Sequence, residues 1–151
     1  MAYGGGSMYD MIILGAGPAG MTAAVYGARK KMRLLLISKD VGGQMLWTLG
    51  IENYMGYQYI EAPELIAKFE AQVKQFPIEQ RIGDSGRAVR KADGGFQVET
   101  EGGATLEARV VLVATGKRPR ELKVPGEGRL RGRGVSYCAI CDGPLFSGER
   151  V

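Results

Sequence analysis

A chain of 151 residues with 45% hydrophobic and 24% charged residues has the make-up of a globular domain, not of a disordered tail. Its 24 glycines follow no three-residue period, which excludes collagen, and no apolar run approaches the roughly 18 residues that span a bilayer. The net charge of +4 is mild, and the absence of histidine excludes His-based triads, His metal sites and His general bases.

Residues 1–8, with Gly4-Gly5-Gly6, read as a flexible leader. Tyr9 to Leu14 reads as a short buried strand ended by Gly15. Pro18 to Lys31 reads as a helix, with proline in its first turn and Arg29, Lys30 and Lys31 in its last. A second apolar strand spans Arg33 to Ser38, so strand, glycine turn, helix and strand make a βαβ unit with parallel strands. The apolar stretch Met11 to Val25 is broken by glycines and lacks the basic leader of a secretory signal. The expectation is a soluble, cytoplasmic protein without a membrane partner.

Ala62 to Phe76 carries Leu65, Ile66, Phe69, Val73 and Phe76 at helical spacing. Phe96, Val98 and Thr100 then alternate with polar residues, Gly102-Gly103 makes a turn, and Thr105 to Val113 is extended again. This predicts a small antiparallel meander whose last strand returns to the parallel sheet. Residues 117–133 concentrate the positive charge: Lys117, Arg118, Arg120, Lys123, Arg129, Arg131 and Arg133 against Glu121 and Glu127. That segment reads as a basic interdomain linker or a docking surface for an acidic partner. Nucleic acid is not expected, because no aromatic residue interleaves the charges. The predicted organisation is thus a domain over 9–116, the linker 117–133, and the start of a second domain over 134–151.

Gly15-Ala16-Gly17-Pro18-Ala19-Gly20 is G-x-G-x-x-G between a strand and a helix. Gly15 permits the tight turn, Gly17 clears the way for a pyrophosphate, and Gly20 lets the helix pack close to the sheet. The helix N-terminus offers free N–H groups to the phosphates. In this setting the motif predicts dinucleotide binding, the alternative being a purely structural glycine turn. A carboxylate about 20 residues further on usually binds the ribose. Here Ser38 holds that place and Asp40 falls two positions later. The small residues Ala114-Thr115-Gly116 after a buried strand, and Gly42-Gly43-Gln44 after the second strand, suggest close passage to a ligand or another backbone. Asn53, the only asparagine, is either a flavin or ribose contact or an ordinary turn amide.

The two cysteines, Cys138 and Cys141, form one C-x-x-C followed by Asp142-Gly143. Near a βαβ unit this reads as a redox dithiol, with a half zinc site and inert cysteines as the alternatives. Thiol exchange needs a proton donor for the leaving thiolate, and with no histidine the adjacent Asp142 is the candidate. No metal site is predicted.

Gly15 to Gly20, Gly42-Gly43-Gln44, Ala114-Thr115-Gly116 and the run Gly134-Val135-Ser136-Tyr137-Cys138-Ala139-Ile140-Cys141-Asp142-Gly143 closely resemble the low-molecular-weight thioredoxin reductases. The resemblance covers Tyr9 to Val151 and departs where Ile140 replaces the usual threonine. It implies an α/β fold: a Rossmann-like FAD-binding βαβ sheet with a small antiparallel meander insertion, followed by the start of an NADPH-type domain carrying the C-x-x-C. It also implies a flavoprotein disulfide reductase, usually a homodimer, that passes electrons from NADPH through FAD to thioredoxin. Within it, Cys141 would lie against the flavin, Cys138 would attack the substrate disulfide, and Asp142 would be the acid. The FAD contacts it implies are Gly15, Gly17, Pro18, Ala19, Gly20, Ser38, Gly43, Gln44, Met45, Thr48, Asn53, Ala114, Thr115 and Gly116. The family's chain is about twice as long, so these residues read as its N-terminal half, inactive alone, with the NADPH site elsewhere. Two other readings remain open: a flavin-dependent dithiol oxidase or related reductase using another donor, and a non-catalytic dinucleotide-binding remnant.

Overall fold

The computed structural model describes residues 8–48, 50–131, 133–139 and 143–150. The chain divides into two compact units, Met1–Gly116 and Lys117–Val151.

The first unit is built on a six-stranded sheet of order β5-β2-β1-β8-β7-β6. Strand β1 (Tyr9–Ala16) lies inside it, parallel to β2 (Leu34–Val41) on one side and to β8 (Thr105–Val113) on the other. Both faces of β1 are covered, which is why its sequence is a continuous apolar run and not an alternating one: Ile12 and Ile13 point to opposite faces and both are fully buried. On one face Met11, Ile13, Leu34 and Leu36 pack under α1 (Pro18–Arg29) and α2 (Ala62–Val73), meeting Met21, Ala24 and Val73. On the other face Tyr9, Ile12, Leu14, Leu35 and Ile37 are covered by Val98 and Ala108. Burying a side chain of this size stabilises the fold by about 1.5–3 kcal/mol, so these two layers carry the unit.

The predicted meander is present as β7 (Gly95–Thr100) and β8, with β6 (Gly86–Ala92), which the sequence pattern did not announce, antiparallel to β7 as its first strand. It is continuous with the parallel sheet through β8. Asp84 fastens its open end: its carboxylate accepts the backbone N–H of Ser85 at 2.7 Å and of Gly102 at 2.9 Å. A hydrogen bond from the Thr100 hydroxyl, with those two amides, holds its carboxyl below the usual aspartate range.

Several boundaries differ from the sequence expectations. Helix α1 ends at Arg29, two residues early, because Lys31 adopts a left-handed φ of 60° and Met32 N–H bonds back to the Gly27 carbonyl at 3.2 Å. Helix α2 stops at Val73 instead of Phe76. The first strand does not stop at Gly15 but reaches Ala16, and the second runs past Ser38 to Val41. Pairing jumps from Leu14↔Ile37 to Ala16↔Val41, so β2 carries an irregularity opposite Gly15. Strand β5 (Glu79–Ile82) has no apolar run to announce it; it lies at the sheet edge, parallel to β2. Tyr9 ties it to β1, donating its hydroxyl to Glu79 at 2.7 Å while the Arg33 guanidinium lies 4.5 Å from its ring centroid. Burial, with that acceptor, raises the Tyr9 pKa above the usual phenol value. A two-stranded pair, β3 (Gly50–Ile51) and β4 (Ile60–Glu61), brackets an exposed loop.

Candidate functional site

The glycine cradle sits where the parallel strands β1, β2 and β8 end. Gly15 has φ of +109°, a conformation that L side chains rarely adopt, and a Cβ there would fall on the Ala114 carbonyl and come within 3.3 Å of Thr115 Cα. A Cβ on Gly20 would fall on the carbonyl of Gly15. These two glycines are fixed by the protein's own backbone.

Gly17 is different. It is the residue preceding α1, with φ of −77° that any residue adopts, and a Cβ there would meet nothing within 4 Å. Internal packing does not explain why this position is glycine. Open space in front of the helix N-terminus does, because there the first-turn N–H groups have no intrahelical acceptor. Pro18 occupies the first turn, lacking only an N–H that the helix does not use.

Two further segments reach this point. Gly42 N–H bonds to the Ala16 carbonyl at 2.8 Å, and a Cβ on Gly43 would stand 3.6 Å from Gly17 Cα. Ala114 N–H bonds to the Leu14 carbonyl at 2.8 Å. The fold therefore brings together Gly15, Gly17, Gly20, Gly43, Ala114 and Thr115, drawn from three separate stretches of sequence. Gln44 and Met45 follow in a single 3-10 turn, Gly43–Trp47, and are half-buried. Gly116 is exposed with φ of +65°.

The other residues named from the sequence are placed less tellingly. Ser38 is buried inside β2 beside Ile82, with its carbonyl accepting Gly83 N–H at 2.9 Å. Asp40 is exposed. Thr48 donates its hydroxyl to the Gly50 carbonyl at 3.3 Å, and Asn53 is exposed on the loop between β3 and β4. In the sequence Gly42 reads only as part of a glycine pair. Its φ of +106° is one that L side chains rarely adopt, and a Cβ there would press on the Ile66 side chain, whereas Gly15 is closed by backbone.

In the second unit, Cys138 is disulfide-bonded. Its backbone N–H bonds to Ser136 Oγ at 3.1 Å. Cys141 and Asp142 lie outside the described residues. Among the described residues no cluster of His, Cys, Asp and Glu could hold a metal ion, and no helix is long and apolar enough to cross a membrane.

Residues 9–148 match the family model of the pyridine nucleotide-disulphide oxidoreductases. The chain belongs to this family. Among its relatives, an alkyl hydroperoxide reductase component of Pseudomonas putida is 47% identical over 95% of this chain and 28% of its own length. The thioredoxin reductase of Listeria monocytogenes is 45% identical over 95% of this chain and 45% of its own. The crystal structure of thioredoxin reductase from Streptococcus pyogenes superposes with a TM-score of 0.79 at 44% identity, covering 92% of this chain and 45% of that one. The chain thus spans less than half the length of these relatives. The Rossmann-like sheet with its meander is the architecture that the motifs predicted, and the likeness to thioredoxin reductases read from them agrees with these relatives.

Proposed function

We propose that this chain is the flavin-binding and dithiol-bearing part of a disulfide reductase. In this reading FAD lies on the cradle, NADPH is the electron donor from a site beyond these residues, and a thioredoxin-like protein is the acceptor. The observation that carries it is Gly17: a glycine demanded by no protein atom, at the mouth of a helix N-terminus and beside Gly43. The residues fit a dinucleotide, because Gly15 and Gly20 press α1 against the sheet while Gly17 leaves its phosphates an approach. Ala19 and Gly20 would offer N–H groups there, with Gln44, Met45, Thr48, Asn53, Thr115 and Gly116 lining the remainder and Ser38 toward the ribose.

When bound, the flavin supplies the two electrons that return the disulfide to a dithiol. The remaining steps belong to this chain. The Cys138 thiolate attacks one sulfur of the partner's disulfide, forming a mixed disulfide and releasing a thiolate that takes a proton from Asp142. The Cys141 thiolate then attacks the Cys138 sulfur and releases the partner's second sulfur as a thiolate that takes its proton from water, leaving Cys138 and Cys141 joined. The partner gains two electrons and two protons, and the dithiol loses two electrons. A homodimeric assembly and a cytoplasmic setting complete the reading.

The test is to trap the mixed disulfide in the protein at its native length. Cys141→Ser should accumulate a covalent adduct with oxidised thioredoxin through Cys138, and Cys138→Ser should not. An adduct formed only by Cys138→Ser would reverse the roles; none from either would overturn the dithiol reading. A second reading, a reductase of the same build serving another disulfide protein or donor, is favoured by the 47% identity to the alkyl hydroperoxide reductase component. Selective adduct formation with a protein other than thioredoxin would decide for it.

A further inference from the structure

No described side chain of the Lys117–Val151 unit is buried, so an apolar core does not order it. Polar staples take that role, and one carboxylate anchors them. Glu127 Oε1 accepts the N–H of Leu122 at 2.8 Å, and its Oε2 accepts those of Lys123 at 2.6 Å and Val124 at 3.4 Å. Lys123 has a left-handed φ of 58°, the twist that turns successive N–H groups into an anion-binding concavity. Although basic residues crowd this segment, no Lys or Arg forms an ion pair with Glu127 among the described residues. The carboxylate is directed at backbone, not at charge.

From Glu127 the bonding continues to the cysteine. Glu127 opens the single turn α3 (Glu127–Leu130), whose Leu130 N–H bonds to the Gly126 carbonyl at 3.0 Å. The Leu130 carbonyl accepts Arg133 N–H at 2.8 Å and Val135 N–H at 3.0 Å. An isolated bridge joins Arg131 to Val135, and the Arg131 guanidinium lies 4.9 Å from the Tyr137 ring centroid. Ser136 Oγ then holds the Cys138 N–H. Each link is short in sequence, and together they lead from residue 122 to 138.

We infer that Glu127 is a positioning residue for the Cys138 loop: by tying residues 122–124 to α3 it fixes the Leu130 carbonyl, which holds the turn that delivers the cysteine. The inference rests on the dithiol reading for its purpose, but not for its geometry.

The test compares the full chain with Glu127→Ala, Glu127→Gln and, as a control in the same segment, Glu121→Gln. Amide hydrogen exchange is followed at 122–124, at 133–138, and in β1 as an internal measure of folding. The rate at which dithiothreitol reduces the Cys138 disulfide is read in parallel. Bonds to a charged acceptor are strong enough that Glu127→Ala should speed exchange at 122–124 about tenfold or more. Exchange at 133–138 and the reduction rate should rise several-fold with it. Glu127→Gln, which keeps one acceptor oxygen, should fall between, and Glu121→Gln should match the parent. Should Glu127→Ala disturb β1 as well, the Gln variant decides. Unchanged exchange at 133–138 when 122–124 is released would confine Glu127 to a local role and overturn the inference. A parent protein whose cysteines never cycle would overturn the dithiol reading instead, while the exchange arm would still report the latch.

Discussion

Gly17→Ala and Gly20→Ala should separate binding from folding within one six-residue motif. At Gly20 the new methyl falls on the backbone oxygen of Gly15 and lies 3.4 Å from Ile13 Cγ2, so no flexible side-chain end can give way. Helix α1 would have to lift from the sheet, uncovering Ile13 of β1 and its own Met21, both nearly inaccessible to solvent. Overpacking of this kind costs about 1–3 kcal/mol when side chains can adjust, and backbone against backbone belongs at about 3 kcal/mol or above. For a unit of this size that lowers Tm by about 12 °C or more. At Gly17 the methyl enters open space with an ordinary φ. A poorer residue before the helix costs up to about 1 kcal/mol, and reduced freedom of the unfolded chain returns about 0.4–1 kcal/mol. Stability should therefore change by less than about 1 kcal/mol. The same methyl would stand in the approach of the phosphates to the first-turn N–H groups. Losing two charge-assisted bonds of about 1.5–3 kcal/mol each weakens binding by about a hundredfold or more. Urea denaturation gives the first quantity, and quenching of flavin fluorescence on titration with FAD gives the second. Equal destabilisation by the two variants, or unimpaired FAD binding by Gly17→Ala, would refute the distinction.

Asp84 is held below the usual aspartate range by Thr100, Gly102 and Ser85, so its contribution is present above about pH 4 and is lost as pH falls through the depressed folded value. Denaturation midpoints measured from pH 5 to pH 2 should fall more steeply for the parent than for Asp84→Asn. Tyr9→Phe removes the hydroxyl bond to Glu79 but keeps the ring under Arg33, and should cost about 1 kcal/mol in urea unfolding. With Tyr9 raised above its ordinary value, the bond is intact through neutral pH and is lost only as pH rises through the folded value. Parent and Phe variant should therefore converge in strong alkali. Asp142→Asn should slow disulfide turnover about 10²–10⁴-fold with FAD content unchanged; a parent-like rate and pH profile would make Asp142 a helix cap and not an acid.

The parts of the fold that were legible are those whose side chains are fixed by a nearby environment. Met11-Ile12-Ile13-Leu14 and Leu34-Leu35-Leu36-Ile37 are apolar throughout because both faces of these strands are covered, and Pro18 marks the start of α1. Glu79-Gln80-Arg81 carries no such signal. Its place is set by backbone pairing to Leu35, Leu36 and Ile37, partners more than 40 residues away, and an edge strand can keep polar side chains in water. The same cause moved the end of β2. The bond from Gly42 N–H to the Ala16 carbonyl draws the strand past Ser38, and no side-chain pattern encodes that bond.

The two halves of the candidate chemistry were legible to different depths for a physical reason. A glycine motif records close approaches of backbone, which forbid side chains outright, so Gly15 and Gly20 announce themselves by type. Only the geometry separates them from Gly17, whose missing side chain serves space outside the protein. The segment leading to Cys138 is held instead by hydrogen bonds, and these leave little trace in composition, since a glutamate among arginines reads first as a charge. Counted by charge, residues 117–133 read as a solvated linker. Traced by donor and acceptor, residues 122–124 gather on Glu127, whose two oxygens accept three backbone N–H groups. Arg118, Arg120 and Arg129 neither pair with it nor bury themselves, and stand exposed at the surface. The order of the loop and the charge of the segment are thus separable: Glu121→Gln removes a charge from the same segment and leaves the three bonds to Glu127 in place, so its comparison with Glu127→Gln tells the two apart.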